Sequence, residues 1–135
     1  MLVIDASIAL AWCFKDEATP ATDALVGRVH REGATVPAHW LLEVTNALLM
    51  AERRGRIPYA DVTLHLRTIE ALGIRVDTDT QGLAVRDALD LARREKLTLY
   101  DAAYLELAIR LNASLASLDR DLRRAAGKTG VTAVP

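Results

Sequence analysis

The run Leu2-Val3-Ile4-Asp5-Ala6-Ser7-Ile8-Ala9-Leu10-Ala11-Trp12-Cys13-Phe14 holds a single charge, Asp5. Leu2-Val3-Ile4 reads as a short buried strand closed by that acid, and Ser7 to Phe14 as a buried helix. A strand that passes straight into a helix is the unit of α/β architecture. From Ala6 to Phe14 the uncharged stretch is far short of the ~20 residues a membrane-spanning helix needs. No basic region precedes it. A cytoplasmic protein with no membrane contact is expected.

The same alternation continues along the chain. Thr19-Pro20 makes an N-cap and first turn for a helix to about Arg31, which Gly33 stops. Ala34-Thr35-Val36 is a second strand. Between Ala38 and Arg54 the apolar Leu41, Val44, Leu48 and Ala51 recur at helical spacing, and Arg53-Arg54-Gly55 is a stop signal. Pro58 to Leu72 is another amphipathic helix, and Ile74-Arg75-Val76 a third strand. Thr80 to Glu95 and Tyr100 to Leu111 are predicted helices, Leu115 to Leu118 a fourth strand, Arg120 to Ala126 a helix, and Val131 to Val134 a last strand. The fold class is therefore α/β: a three-layer α/β/α sandwich with a mainly parallel central sheet. A helix pair between the second and third strands is an elaboration, and strand order is not encoded in this pattern. The 135 residues suit one domain, 1–135.

Half the residues are apolar, which excludes a disordered chain. The lone Cys13 forms no internal disulfide and reads as a buried thiol. A net charge of −1 neither advertises nor excludes nucleic-acid binding, because local patches set the field at a site.

In open parallel sheets, strand carboxyl ends and the N-termini of the following helices share the edge where ligands bind. Asp5 ends the first strand, and Asp119 follows the fourth. Asp101 lies in the first turn of the preceding helix, and Glu43 in the first two turns after the second strand. Taken singly, Asp5 and Asp119 read equally well as helix caps, and Asp101 fits a loose capping box with Thr98. Glu43 shares a helix face with Trp40, Ala47 and Met50, so it is expected on a largely apolar stripe where an unpartnered charge is costly. Together the acids make one oxygen-rich cluster that favours Mg²⁺ or Mn²⁺ over zinc. His30, His39 and His65 show no metal-ligand spacing and read as structural or surface residues. Trp12, Trp40, Tyr100 and Tyr104 read as core or groove wall.

Four segments carry a resemblance to a known family. Val3-Ile4-Asp5-Ala6-Ser7 places Ser7 two residues after a strand-end acid, and Pro37 to Leu48 centres on Glu43. Leu97-Thr98-Leu99-Tyr100-Asp101-Ala102-Ala103-Tyr104 and Leu115-Ala116-Ser117-Leu118-Asp119-Arg120-Asp121-Leu122 follow in order. Together they resemble the motifs of the PIN-domain ribonucleases, and within that family the VapC toxins of toxin–antitoxin pairs. Ser117 stands where the family more often has Thr, and Asp121 competes with Asp119 for the fourth acid. The resemblance implies a PIN-like sheet and a Mg²⁺- or Mn²⁺-dependent endoribonuclease that cleaves structured RNA such as tRNA or rRNA. It also implies a cognate small antitoxin protein and a homodimer.

On this reading Asp5, Asp101 and Asp119 are metal ligands, and Glu43 is a ligand or orients the attacking water. Ser7, Asn46 and Ser117 are candidates for hydrogen bonds that hold these acids. No Ser–His or Cys–His arrangement suggests a covalent intermediate. Arg120, Arg123 and Arg124, beside Asp119, are the best candidates for phosphate contacts. With few aromatics, a base-stacking platform is not expected. A haloacid-dehalogenase-like phosphohydrolase is the rival enzyme; it would want a second Asp where Ser7 stands. The non-enzymatic rival is a PIN-like module that only binds metal or a partner.

Overall fold

The computed structural model describes residues 1–135. In chain order the elements are β1 (Leu2–Ile4), α1 (Ala6–Cys13), α2 (Pro20–Glu32), β2 (Ala34–Pro37), α3 (Trp40–Arg53), α4 (Tyr59–Glu70), β3 (Arg75–Asp77), α5 (Val85–Glu95), α6 (Leu99–Arg110), β4 (Ser114–Ala116), α7 (Arg120–Lys128) and β5 (Ala133–Val134).

All five strands are parallel, in the order β3-β2-β1-β4-β5. β1 is central and wholly buried, which is why it is apolar at every position rather than alternating. Leu2 pairs with Ala34 on one side and Ser114 on the other. Right-handed crossovers put α1 to α4 on one face and α5 to α7 on the other. The packing agrees: α1 lies against α2 and α3, whereas α6 lies on β1, β2 and β4 and against α5 and α7. The expected α/β/α sandwich is thus present, with an all-parallel sheet. Chain direction across the sheet reverses between β1 and β4, so their carboxyl ends flank the crevice where such folds bind ligands.

Local chemistry explains most boundaries. Thr19 caps α2 reciprocally with Thr22: the Thr22 amide donates to Thr19 Oγ1 (3.1 Å) and the Thr19 amide to Thr22 Oγ1 (2.9 Å). Gly33 ends the helix at φ 75°, a conformation that favours glycine. α5 starts later than the predicted Thr80. The Asp77 carboxylate takes both the backbone N–H (2.9 Å) and the hydroxyl (2.7 Å) of Thr80, and this side-chain turn diverts the backbone from helix until Val85.

Helix α6 is buried without interruption from Ala102 to Ala108. That stretch includes Glu106, whose carboxylate meets Arg110 at 2.8 Å one turn later. Arg110 also holds Asp77, tying α6 to the edge strand β3. No helix is long and apolar enough to cross a membrane.

Candidate functional site

Asp5 is the residue after β1 and the N-cap of α1, accepting the Ile8 N–H at 3.3 Å. The capping role and the site role therefore coincide in one side chain. Ser7 Oγ donates to Asp5 Oδ1 at 2.5 Å, and Ser117 Oγ donates to Oδ2. Each serine oxygen in turn accepts a backbone N–H, from Leu118 (2.8 Å) and Asp119 (3.0 Å) respectively. These bonds orient the Asp5 carboxyl and stitch the end of β1 to the turn after β4. Asp5 is only 5% exposed. Burial pushes its pKa up to about 6, against the pull of the two hydroxyls.

Asp119 caps α7 through Leu122 N–H (2.8 Å) and is otherwise exposed. Asp101 sits one turn into α6, its N–H capped by Thr98 Oγ1 at 3.1 Å. Burial raises its pKa first, and the neighbouring charge of Asp119 raises it further. Glu43 is likewise raised by burial and then by Asp101. Its Oε1 accepts the Tyr104 hydroxyl at 3.0 Å. That phenol is held far above its ordinary pKa by burial, then by Glu43, with Asp5 and Asp101 adding to the effect. The Tyr104 hydroxyl thus marks the region that Asp5, Glu43 and Asp101 share, with Asp119 adjoining Asp101. No three His, Cys, Asp or Glu side chains close around a single point at ligand distances.

Several placements differ from expectation. The buried face of α3 is Trp40, Val44, Leu48 and Ala51. Glu43 stands off it with a side chain 41% exposed, because its angular position on the helix falls on the cleft rim. Asn46 is exposed on α3, and Glu43 is held by Tyr104 instead. Arg123 is committed to the carbonyls of Ser117 (2.8 Å) and Pro135 (3.2 Å), and Arg124 to Asp121 (2.8 Å) and the Glu95 carbonyl (2.9 Å). Both brace α7, which leaves the exposed Arg120 as the one arginine of this trio without a side-chain bond. Asp121 is taken up by Arg124.

The sequence reads Tyr104 as core or groove wall and His39 as a structural or surface residue. Tyr104 lies three residues after Asp101 on one helix face, and His39 four before Glu43; those spacings were the available signal. The His39 ring packs against Tyr100 and Tyr104, with centroids at 5.5 and 5.1 Å. Its Nε2 is buried without a hydrogen bond, 3.9 Å from Glu43 Oε1. Burial lowers its pKa.

Residues 2–128 match the sequence profile of the PIN domain. The chain belongs to the PIN-domain family. Ribonuclease VapC3 of Mycobacterium tuberculosis is 33% identical over 102 residues, covering 76% of this chain and 72% of that protein. Ribonuclease VapC3 of Pyrobaculum aerophilum is 28% identical over 121 residues, 90% of this chain and 91% of that one. The crystal structure of PAE2754 from Pyrobaculum aerophilum superposes with a TM-score of 0.75 at 26% identity, over 98% of this chain and 90% of the other.

Within this PIN domain the site acids contrast with the carboxylates that brace the fold through arginine. Glu32, Asp77, Glu106 and Asp121 each meet an arginine within 3.0 Å, and Asp77 is held down at about 2 by Arg110. Asp5, Glu43, Asp101 and Asp119 form no ion pair with any Lys or Arg. Oxygen donors, a buried carboxyl left without a counter-charge and mutual repulsion suit a hard divalent cation such as Mg²⁺ or Mn²⁺. The residues present fit that group.

Proposed function

We propose that this PIN domain is a Mg²⁺- or Mn²⁺-dependent endoribonuclease acting in the cytoplasm, the toxin of a toxin–antitoxin pair. Its substrates are structured RNAs such as tRNA or rRNA, its inhibitor a small antitoxin protein, and its working form a homodimer. One observation carries the reading: Asp5, Glu43 and Asp101 all act on the Tyr104 hydroxyl, Asp119 acts on Asp101, and none of the four has a Lys or Arg partner, in a chain whose relatives are named ribonucleases.

Asp5, Asp101 and Asp119 would hold the cation, with Glu43 as a further ligand or as the group that orients water. Bound there, a divalent ion supplies Lewis-acid polarisation of the phosphoryl group and makes water acidic enough to react near neutral pH. The protein supplies position. Ser7 and Ser117 fix the plane of the Asp5 carboxyl, and Tyr104 fixes Glu43 through Oε1. Glu43 Oε2 is thereby left to accept the proton of an attacking water. Serine at position 7 counts against a dehalogenase-like phosphohydrolase. Its hydroxyl is spent on Asp5 and the Leu118 amide, where that chemistry needs a general acid.

Cleavage of a mixed tRNA and rRNA pool by partner-free protein tests this reading. Wild type is expected to cut with Mg²⁺ or Mn²⁺ and to stop with a chelator. Asp101→Asn should lose roughly 10²-fold or more, the scale of removing one preorganised charged group at a reacting centre. Equal cutting by both proteins, or no cutting by wild type, overturns it.

A further inference from the structure

Beside the acids lies an open cavity of about 480 Å³, lined by His39, Leu42, Glu43, Thr98, Tyr100 and Asp101. That volume is within the range of roughly 300–1,000 Å³ usual for ligand clefts. Two of its walls present apolar surface to solvent: Leu42 is 76% exposed and Tyr100 65% exposed. Tyr100 is also braced. Its ring leans on His39 at an interplanar angle of 57°, and His39 is wedged in turn against the buried Tyr104. An aromatic face held by packing costs little entropy to use.

We propose that this cavity is a nucleobase subsite, in which the base next to the scissile phosphate stacks on Tyr100 and against Leu42. The inference rests on the ribonuclease reading above and adds the group that flanks the cut. Its occupant follows from charge. The lining holds no lysine or arginine that could neutralise a second phosphate, and Leu42 and Tyr100 offer it an apolar and aromatic wall, so the group that suits it is uncharged and flat. A substrate that brings a phosphodiester to the acids also brings a base on each side of it. Every base offers a π-face, so stacking here admits different bases, and the ring must be unpaired to reach it. Aromatic count alone does not suggest a stacking platform; the observation behind the proposal is the packing of the Tyr100 ring on His39 in the cavity that Glu43 and Asp101 also line. A partner protein's arginine could also lie flat on Tyr100, and the experiment separates the two.

The probe is a single-stranded oligoribonucleotide spanning a cut mapped with wild type, together with copies carrying an abasic ribose on either side of it. One abasic position is expected to raise KM about tenfold or more, the scale of one base–aromatic stack, with kcat changed little. Tyr100→Ala should raise KM for the intact probe by a similar factor and abolish the abasic penalty, whereas Tyr100→Phe keeps both. Leu42→Ala should give a smaller rise in KM. Wild-type cleavage with no abasic penalty, or an undiminished penalty in Tyr100→Ala, overturns the subsite and leaves the cavity to a protein partner. If wild type cuts no RNA with metal, the ribonuclease reading falls first and the subsite with it.

Discussion

Replacing Asp5 by Asn is expected to make the metal-free protein more stable at pH 7, by up to about 3 kcal/mol. The figure is the rise of the folded-state pKa from 3.8 to about 6, at about 1.4 kcal/mol per unit. In the unfolded chain Asp5 releases its proton near pH 4, but in the fold it keeps the proton to about 6. The stability tied to the protonated form is therefore complete below about 4 and is lost as pH rises through about 6. Wild type and Asp5→Asn should have similar stability at pH 4 and diverge up to pH 7. His39 works in the opposite direction: its lowered pKa removes stability as pH falls below its unfolded value. It is present in both proteins, so the difference between them isolates Asp5. Denaturant titrations in a chelator at pH 4, 5.5 and 7 give that difference. An Asn variant no more stable than wild type at pH 7 would show that Asp5 is not a strained charge.

The opposite result is expected at the far end of α6. Arg110→Met should destabilise the fold by roughly 3–5 kcal/mol, the usual effect of stranding one member of a buried ion pair. Arg110 bonds Glu106 at 2.8 and 3.2 Å and Asp77 at 3.1 and 2.9 Å, and the Glu106 side chain is only 5% exposed. Without the guanidinium, the Glu106 carboxylate is left in the interior with no counter-charge. Asp77, depressed to about 2, contributes stability that is present above about pH 4 and lost as pH falls towards 2. Arg110→Met should shrink that acid limb, leaving the part held by the Thr80 hydroxyl and amide. Glu106→Leu combined with Arg110→Met should recover most of the loss, since an apolar pair can replace a buried salt bridge. Urea titration reads both variants. A single-variant loss below about 1 kcal/mol would mean that the network is solvent-screened in the manner of surface pairs.

These two sites separate what the chain's chemistry declares from what only the fold reveals. The strand-to-helix passage at Asp5, the Thr19-Pro20 start and the Gly33 stop are local, and each is read correctly because the deciding interactions lie within a few residues. The late start of α5 was hidden because Asp77 lies just before the helical pattern and captures Thr80 through its side chain. Strand order depends on which face each crossover takes, a long-range choice that periodicity does not carry. At the site, the strand-end acids Asp5 and Asp119 were legible from position alone. The exposure of Glu43 was not, since Trp40, Ala47 and Met50 suggested an apolar face, whereas the buried stripe runs through Val44 and Leu48. Tyr104 reads as core or groove wall because a tyrosine in an apolar helix packs inward. Its body is core, but its hydroxyl reaches Glu43. Arg123 and Arg124 looked like phosphate contacts only while their carbonyl partners in distant segments were unknown.

The central claim is that four acids from four segments serve one divalent cation. Calorimetric titration of Mn²⁺ into wild type and into Asp5→Asn, Glu43→Gln, Asp101→Asn and Asp119→Asn tests it most directly. Wild type is expected to show saturable binding. Each variant should bind at least about tenfold more weakly, since even changes to groups that merely support a ligand cost that much. No saturable binding by wild type, or variants that bind as wild type does, would contradict it.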